Sequence, residues 1–434
     1  MLKRKIELKL SEWLNSSYGL LVDGARQIGK TYSIEKFINE HFENVIEINL
    51  YENKKAVPIL SQAVDSNDFL LRLTTLIDKP LIKGKTVIFL DEIQEFKDFD
   101  IITMLKFLIQ NNNYRFVISG SLLGVEQYGV DSWPEGYMIL EKMYPLDFEE
   151  FLWAAGISDD IIKIVKNSFL ERTLVPDYIH DKLMYLFRKY LLVGGMPKAV
   201  QSFFDTNDFN VVSLDHKAIE SYISKDVIKY ASENDKLLIK TMYELLPSEL
   251  NSQSKRFSLK DLPKNYKNEN LHLSFGWFTK AGIAIPVYNV SNIEIPLELS
   301  SNHKLVKLFH EDVGILTYLI MDSEMKRNIL NDGTDINFGS IYENCVAQML
   351  TAAGNESIYY FSKNGIGEID FLLQKKGQIY VIEVKSGKDY KRHSAINNII
   401  NKYPNIDNVF VLYNGNVFKD NKIVYLPVYM GMLL

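Results

Sequence analysis

The segment from Gly24 to Thr31 contains the residues with the most recognisable chemistry. Gly24, four further residues and then Gly29-Lys30-Thr31 form the GxxxxGK[ST] pattern of a phosphate-binding loop. The glycines let backbone N–H groups turn onto phosphate oxygens, the Lys30 ammonium reaches the β- and γ-phosphates, and the Thr31 hydroxyl is a ligand of Mg²⁺. A strand before the loop and an amphipathic helix after it complete the expected context. The segment predicts ATP and Mg²⁺ as cofactors.

The acidic pair Asp91-Glu92 supplies the second half of this site. It ends the apolar run TVIFLD, which predicts a buried strand. Asp91 is expected to hold Mg²⁺ through water and Glu92 to polarise the attacking water. The predicted nucleotide contacts are Gly24, Gln27, Gly29, Lys30, Thr31, Tyr32 and Asp91, and the predicted catalytic residues are Glu92, Lys30 and Ser121.

Two other polar positions near this site have alternative explanations. Ser119 and Ser121 end the run YRFVISGS, and either could orient the water or contact the γ-phosphate. A serine in a turn explains both positions equally well. Gln94 could meet the nucleotide or form a hydrogen bond within its own loop.

The elements that position these residues alternate between strand and helix. Short β-rich runs are separated by stretches with helical spacing, such as TYSIEKFINEHF and IITMLKFLIQNNN. This alternation predicts an α/β fold, in which a parallel sheet is covered on both faces. We predict a P-loop core over residues 1–155, a helical lid over 156–235, a winged-helix-like unit over 236–300 and a further α/β domain over 301–434.

Composition limits the classes of protein to which the chain can belong. It has 434 residues and a formal net charge of −6, which excludes a uniformly basic nucleic-acid coat but not a local basic groove. Its single cysteine, Cys345, cannot form an internal disulfide. No signal peptide or apolar run of about 18 residues is recognisable, so we expect a cytoplasmic protein with no membrane partner. A homo-oligomer is left open.

Several motifs together resemble those of a widespread prokaryotic family of AAA+ ATP-binding proteins, in which a domain of unknown function follows the ATPase. The resemblance implies an AAA+ core, a helical lid, a winged helix and a restriction-endonuclease-like C-terminal domain. The motifs, which extend over most of the chain, are GARQIGKT (24–31), FLDEIQ (89–94), ISGSLLG (118–124), YPLDFEEFL (144–152), LLVGGMPKAV (191–200), YISKDVIKY (222–230) and FHEDVGI (309–315).

One position departs from the family pattern. Many relatives carry an arginine shortly before the motif that reads YPLDF here, whereas this chain has Tyr137 in that region. This departure leaves open which residue, if any, is the arginine that stabilises charge during hydrolysis. Arg115 and Arg188 are both candidates.

The C-terminal block carries a second set of acids. Glu343 lies in a helical run, Asp370 in a strand, and Glu383 and Lys385 in the ExK of the next strand, which is the order of a PD-(D/E)XK nuclease site. Because side chains alternate along a strand, Glu383 and Lys385 share a face. We predict a metal site of Glu343, Asp370 and Glu383 with Lys385 beside it. The alternative is a structural pair of Glu and Lys on an exposed strand.

These observations leave three functions open. The first is ATP hydrolysis coupled to a nuclease-like domain that acts on DNA or RNA. The second is a nucleotide-gated switch that binds DNA or protein and hydrolyses little ATP. The third is a metal-dependent nuclease licensed by ATP. Basic residues that could meet phosphates, or merely be solvated, are Lys255, Arg256, Lys260, Lys264, Lys388, Lys391 and Arg392.

Overall fold

The chain folds into two units, seen in a computed structural model that describes residues 2–96, 99–120, 136–229, 236–252, 278, 282–331 and 339–434. The N-terminal unit comprises residues 3–144 with 280–282, and the C-terminal unit comprises residues 145–279 and 283–434 with the first two residues. Each unit has its own central sheet.

A parallel sheet of five strands lies at the centre of the N-terminal unit, in the order β2-β3-β4-β1-β5. Every residue of β1 and β3 is buried, as expected for strands covered on both faces. This confirms the predicted α/β fold with a parallel sheet. The strands are β1 (Gly19–Asp23), β2 (Asn44–Asn49), β3 (Thr86–Asp91), β4 (Arg115–Gly120) and β5 (Met138–Lys142).

Helices of this unit pack mainly through leucine, isoleucine and phenylalanine side chains. Two of them begin at an aspartate whose carboxylate accepts backbone N–H groups of the first turn, namely Asp65 and Asp100. The helices are α1 (Ile6–Leu14), α2 (Lys30–His41), α3 (Ala56–Leu60), α4 (Ser66–Ile77) and α5 (Ile101–Gln110), and a 3₁₀ turn covers Ile93–Glu95.

Helices form the first part of the C-terminal unit. Asp147 and Glu150 form a capping box, in which each side chain accepts the backbone N–H of the other residue. The helices are α6 (Phe148–Ala154), α7 (Asp159–Glu171), α8 (Asp177–Val193), α9 (Pro197–Thr206), α10 (Phe209–Lys229) and α11 (Lys236–Leu250).

An eight-stranded mixed sheet forms the rest of this unit, in the order β12-β13-β11-β10-β9-β8-β6-β7. Its strands are β6 (Ala284–Val290), β7 (Ser301–His310), β8 (Ile358–Lys363), β9 (Gly367–Lys375), β10 (Gln378–Val384), β11 (Asn408–Tyr413), β12 (Phe418–Asp420) and β13 (Ile423–Pro427). The remaining helices are α12 (Val313–Ile320), α13 (Ser323–Leu330), α14 (Gly339–Ala352) and α15 (Ser394–Lys402), with 3₁₀ turns at Leu297–Ser300 and Val428–Leu433.

The predicted winged-helix unit, residues 236–300, is described only in part. Its residues 253–277 and 279–281 lie outside the described residues, as do the basic positions Lys255, Arg256, Lys260 and Lys264. Strand β6 pairs antiparallel with β7 and parallel with β8, so the predicted boundary at residue 300 falls between two strands of one sheet. The four-domain division stays a prediction.

None of the described helices combines the length and apolar character needed to cross a membrane.

Candidate functional sites

The backbone of the phosphate loop follows a path that few residues other than glycine adopt easily. Gly24 and Gly29 have φ angles of 150° and 89°, and Gln27, between them, has a φ of 63°. A Cβ atom at Gly24 would lie 2.2 Å from the carbonyl oxygen of Met143. Glycine is therefore required at position 24 both by backbone conformation and by the close neighbouring chain.

Lys30 begins α2 immediately after this loop, and its side chain is buried. Its ammonium donates to the carbonyl oxygens of Gly24 and Ala25, each at 2.8 Å. Burial lowers the pKa of Lys30, while the negative charges of Glu92 and two aspartates oppose this effect. The ammonium is thus held inside the turn of the loop by weak neutral acceptors, where an anionic ligand would be a stronger partner.

Asp91, at the carboxyl end of β3, accepts hydrogen bonds from several elements. Its Oδ2 accepts from Thr31 Oγ1 at 2.9 Å and from Asn49 Nδ2 at 2.7 Å. Its Oδ1 accepts from the Ser119 hydroxyl and, at 3.1 Å, from the backbone N–H of Glu92. Parallel strands β2, β3 and β4 end at one edge of the sheet, which brings these side chains together.

The donor set around Asp91 fits Mg²⁺. This cation prefers hard oxygen ligands, and usually takes one or two from protein side chains while water and phosphate supply the others. A hydroxyl oxygen of Thr31 and a carboxylate of Asp91 lie within hydrogen-bond distance of each other beside the phosphate loop. The residues predicted to hold Mg²⁺ are therefore adjacent.

Glu92 follows Asp91 in the left-handed region, with φ 58° and ψ 49°. Its Oε2 accepts a hydrogen bond from Gln94 Nε2. Of the two interpretations of Gln94, the structure shows the hydrogen bond within its own loop. Gly120, at the end of β4, packs against this residue, since a Cβ there would lie 2.6 Å from Gln94 Oε1.

Not all predicted contacts of this site can be placed. Ser121, predicted to be catalytic, lies outside the described residues. Ser119, its alternative, is buried and bonded to Asp91. Tyr32 lies in the first turn of α2 and is half exposed. The predicted nucleotide contacts of Gln27 and Tyr32 stay predictions.

Arg115 lies at the edge of the sheet opposite the phosphate loop. As the first residue of β4, it donates to the carbonyl oxygens of Ser16 and Trp13, and its guanidinium lies 4.4 Å from the centre of the Trp13 ring. Within its own unit, Arg115 therefore stabilises the end of α1, and it lies away from the edge of the sheet that carries the phosphate loop. Arg188 belongs to α8 of the other unit, and its role stays open.

The predicted C-terminal acids lie on consecutive elements. Glu343 is on α14, Asp370 on β9 and Glu383 on β10, with Lys385 directly after the strand. Strands β9 and β10 are antiparallel, and Ile382 pairs with Phe371. The next pair in this register is Glu383 opposite Asp370.

Hydrogen bonds and charges confirm that this group is close together. The backbone N–H of Val384 donates to Asp370 Oδ2 at 2.8 Å, and Lys385 Nζ donates to Glu383 Oε1 at 2.7 Å. Burial, followed by the charges of Asp370 and Glu343, raises the pKa of Glu383 to about 8, although Lys385 opposes the shift. Glu383 therefore holds a proton more readily than an ordinary glutamate.

A second lysine, which the sequence analysis did not single out, faces the same acids. Lys307 on β7 is fully buried, and its Nζ donates to Glu368 Oε1 at 2.6 Å. Burial opposes its charge, but Glu343, Asp370 and Glu368 together raise its pKa. The alternation of residue types along β7 does not predict this role, because Glu368, the hydrogen-bond partner of Lys307, is 61 residues away in the sequence.

The metal-binding role predicted for these acids has no direct support in the geometry. Among the residues that the structure describes, no three His, Cys, Asp or Glu side chains are arranged to hold a metal ion. The Lys385 ammonium is bonded to one carboxylate oxygen of Glu383, Oε1, at 2.7 Å. Metal binding by Glu343, Asp370 and Glu383 stays a prediction.

Hydrogen bonds join three of the sequence motifs inside the C-terminal unit, namely YPLDFEEFL, LLVGGMPKAV and FHEDVGI. The Leu146 N–H donates to the Gly195 carbonyl at 2.6 Å, and the Gly195 N–H donates to Asp312 Oδ2 at 2.6 Å. The hydroxyl of Tyr190 donates to the Leu146 carbonyl at 2.7 Å. A Cβ at Gly195 would lie 2.0 Å from the oxygen of Leu146. These motifs therefore specify packing.

Comparisons with known families divide the chain into three regions. Residues 16–152 match a family described as AAA domain. Residues 184–326 match a domain of unknown function (DUF8612), and residues 338–430 match another (DUF4143). The first match shows that the N-terminal part is similar to AAA domains and supports nucleotide binding there. The other two descriptions assign no activity, so the nuclease-like and winged-helix interpretations stay predictions.

Individual relatives are similar over most of the chain. An uncharacterized protein of Methanocaldococcus jannaschii is 23% identical over 436 residues, covering 96% of this chain and 86% of that protein. The Walker-type ATPase of Pyrococcus abyssi is 14% identical with a TM-score of 0.44, covering 74% of this chain and 96% of that one. The ORC2 protein of Aeropyrum pernix is 11% identical with a TM-score of 0.33, covering 75% of this chain and 90% of that one. The similarity to AAA domains rests on the sequence match over residues 16–152.

Proposed function

We propose that the N-terminal unit binds ATP with Mg²⁺ and hydrolyses it. The observation that carries the proposal is the 2.9 Å hydrogen bond between Thr31 and Asp91, which are 60 residues apart. It joins the end of the phosphate loop to the end of β3. Of the many sequences that contain a glycine-rich turn by chance, few would also place a buried aspartate against its threonine.

Each residue has a distinct role in this proposal. Lys30 exchanges its two carbonyl partners for the β- and γ-phosphates, and it is favoured there because a buried ammonium gains more from an anion than from neutral oxygens. Thr31 and Asp91 hold Mg²⁺, which when bound neutralises charge on the phosphates. Glu92 orients the attacking water. Ser119 and Asn49 keep the Asp91 carboxylate in one orientation through their hydrogen bonds.

Equilibrium binding tests the nucleotide part of the proposal. Isothermal titration should show that Mg²⁺ tightens ATP binding to the parent chain. Asp91→Asn should remove most of this dependence, since an amide is a poorer Mg²⁺ ligand than a carboxylate. Asp100→Asn is a suitable control, because Asp100 caps α5 and does not contact Asp91. Equal Mg²⁺ dependence in the parent and Asp91→Asn would contradict the assigned role.

A nucleotide-gated switch that hydrolyses little ATP is the second candidate. It is favoured by the bond between Gln94 and Glu92, which occupies the carboxylate predicted to orient water. Turnover measured with and without DNA separates the two candidates. Slow turnover that DNA does not stimulate supports the switch, whereas stimulated turnover supports an ATPase directed by nucleic acid.

For the C-terminal unit we propose a nuclease-like domain that acts on or binds DNA or RNA. The proximity of Glu343, Asp370, Glu383 and Lys385 supports this proposal, since a buried acid with a raised pKa beside a lysine is typical of functional sites. A stronger form of this proposal is a metal-dependent nuclease whose cleavage requires ATP binding by the N-terminal unit. Metal-dependent nicking of plasmid DNA that requires Asp370 would distinguish cleavage from binding alone.

We further propose a cytoplasmic location. Cys345 is buried and burial raises the pKa of its thiol, so the thiol is unreactive. A single unreactive thiol is compatible with a reducing compartment. A homo-oligomer in which a neighbouring copy supplies an arginine also remains a proposal. Sedimentation with and without ATP would test it.

A further inference from the structure

Arg4 connects two distant parts of the N-terminal unit. It precedes α1, is 6% exposed, and donates from both ends of its guanidinium. One nitrogen lies 2.7 Å from the carbonyl oxygen of Ile28, and the other lies 2.7 Å from that of Tyr144. These partners are 24 and 140 residues away along the chain.

The bond to Ile28 acts on the phosphate loop directly. The carbonyl of Ile28 and the N–H of Gly29 belong to the same planar peptide unit, so they point in opposite directions. With the carbonyl held by Arg4, the N–H of Gly29 is fixed on the opposite side. A charged donor on the carbonyl also polarises the peptide and makes its N–H a stronger donor.

The bond to Tyr144 anchors Arg4 to the other side of the loop. The preceding residue, Met143, donates its N–H to the carbonyl of Asp23 at 2.8 Å. The carbonyl oxygen of Met143 is so close to Gly24 that a Cβ atom on Gly24 would lie only 2.2 Å from it. The chain at Met143 and Tyr144 therefore lines the start of the phosphate loop, while Arg4 joins this segment to the end of the loop.

We propose that Arg4 is a positioning residue for phosphate binding. It fixes the Ile28–Gly29 peptide with its N–H toward the phosphates and braces the loop against the segment that contains Tyr144. This role rests on the proposed ATP binding. Arginine suits it because a planar guanidinium can serve two carbonyls from separate nitrogens, whereas the single ammonium of lysine lacks this rigid fork.

Arg115 offers a matched control for this role. It too is an arginine of the N-terminal unit that donates to two carbonyls, those of Ser16 and Trp13, but at the opposite edge of the sheet. The experiment compares Arg4→Met, Arg4→Lys and Arg115→Met in the full chain, by ATP titration and by amide hydrogen exchange without nucleotide. Thermal melting identifies the folded fraction of each variant.

The ATP dissociation constant should rise about ten-fold in Arg4→Met, less in Arg4→Lys, and less than about two-fold in Arg115→Met. Exchange should accelerate in the peptide containing residues 24–31 only when Arg4 is changed. If Arg4→Met does not fold, Arg4→Lys makes the same test. Unchanged exchange over residues 24–31 would overturn the inference, as would equal losses of affinity in Arg4→Met and Arg115→Met. A parent chain that binds no ATP would instead overturn the proposed function, and hydrogen exchange would still decide whether Arg4 orders the loop of residues 24–31.

Discussion

The acids of the two sites have different hydrogen-bond partners. In the N-terminal unit, Asp91 is surrounded by neutral donors, including the side chains of Thr31, Asn49 and Ser119. In the C-terminal unit, the acids face the ammonium groups of two lysines, and one glutamate has a raised pKa.

This difference has a chemical consequence. Neutral donors orient a carboxylate but leave its charge in place, so Asp91 can still attract a cation that arrives with a nucleotide. Built-in lysines instead compensate the charge of Asp370 and Glu383 before any metal arrives. At the second site a divalent ion would meet the positive charge of Lys385 on Glu383 Oε1, whereas at the first site no ammonium is bonded to Asp91 among the described residues. We expect the first site to be the more readily metallated.

The largest expected effect concerns Glu92→Gln. If Glu92 orients the attacking water, its amide analogue should lower the rate of ATP hydrolysis by about 100-fold or more and leave ATP binding intact. Steady-state turnover and ATP titration measure the two quantities. Glu95→Gln, in the 3₁₀ turn that follows Glu92, is the control. Loss of ATP binding in a folded Glu92→Gln would instead make Glu92 a structural residue.

The second prediction concerns pH in metal-free buffer. The folded-state pKa of Glu383, about 8, exceeds its ordinary value of 4.5, so folding favours the protonated form. This contribution to stability is present below about pH 4.5 and is lost as pH rises through 8. Glu383→Gln cannot ionise, so between pH 5 and 8 its free energy of unfolding should fall less than that of the parent, by about 3 to 4 kcal/mol. Urea denaturation at both pH values measures this difference. An equal fall in the free energy of unfolding in the parent and in Glu383→Gln would contradict the buried, acidic environment assigned to Glu383.

A third prediction concerns metal affinity at the C-terminal site. Asp370→Asn should weaken Mn²⁺ binding to the nucleotide-free chain by about ten-fold, because it removes one anionic ligand. Lys385→Ala should leave binding intact or strengthen it, because it removes a competing positive charge. Calorimetry with Mn²⁺ measures both. A parent chain that binds no Mn²⁺ at this site would reduce the cluster to a structural role.

The smallest expected effect concerns Asn49→Ala. Loss of one neutral hydrogen bond to Asp91 should raise the Mg²⁺ concentration needed for half-maximal turnover by about three-fold. Asn44→Ala, at the other end of β2, removes bonds to Pro80 and Thr86 and should not alter this concentration. An equal effect of both substitutions would show that Asn49 acts through the stability of the strand alone.

The two sites also differ in how far the sequence predicts them. The phosphate loop is continuous in sequence, so Gly24, Lys30 and Thr31 can be assigned from spacing, and a hydrophobic strand that ends in Asp91 completes the pattern. The order of Glu343, Asp370, Glu383 and Lys385 likewise predicts their proximity. Their chemistry is less predictable, because it depends on Lys307, which reaches the group through long-range strand pairing.

Other residues were missed for related reasons. Asn49 ends β2 beside Asp91, and a polar residue at the carboxyl end of a neighbouring strand is a signal that could have found it. Arg4 gives no such signal, since its partners lie on the loop and at Tyr144. The sequence leaves Arg115 as a candidate for catalysis, and its place at the start of β4 is evident only from the sheet. Spacing predicts local chemistry, whereas charge compensation depends on tertiary contacts.

We propose that the phosphate loop and the β3 acids form one ATPase site. Turnover of ATP by the parent chain and by Lys30→Ala tests this proposal most directly, with circular dichroism to confirm that both are folded. We expect Mg²⁺-dependent hydrolysis by the parent, and a loss of about 100-fold or more in Lys30→Ala together with weakened ATP binding. Undiminished hydrolysis by a folded Lys30→Ala chain would contradict it.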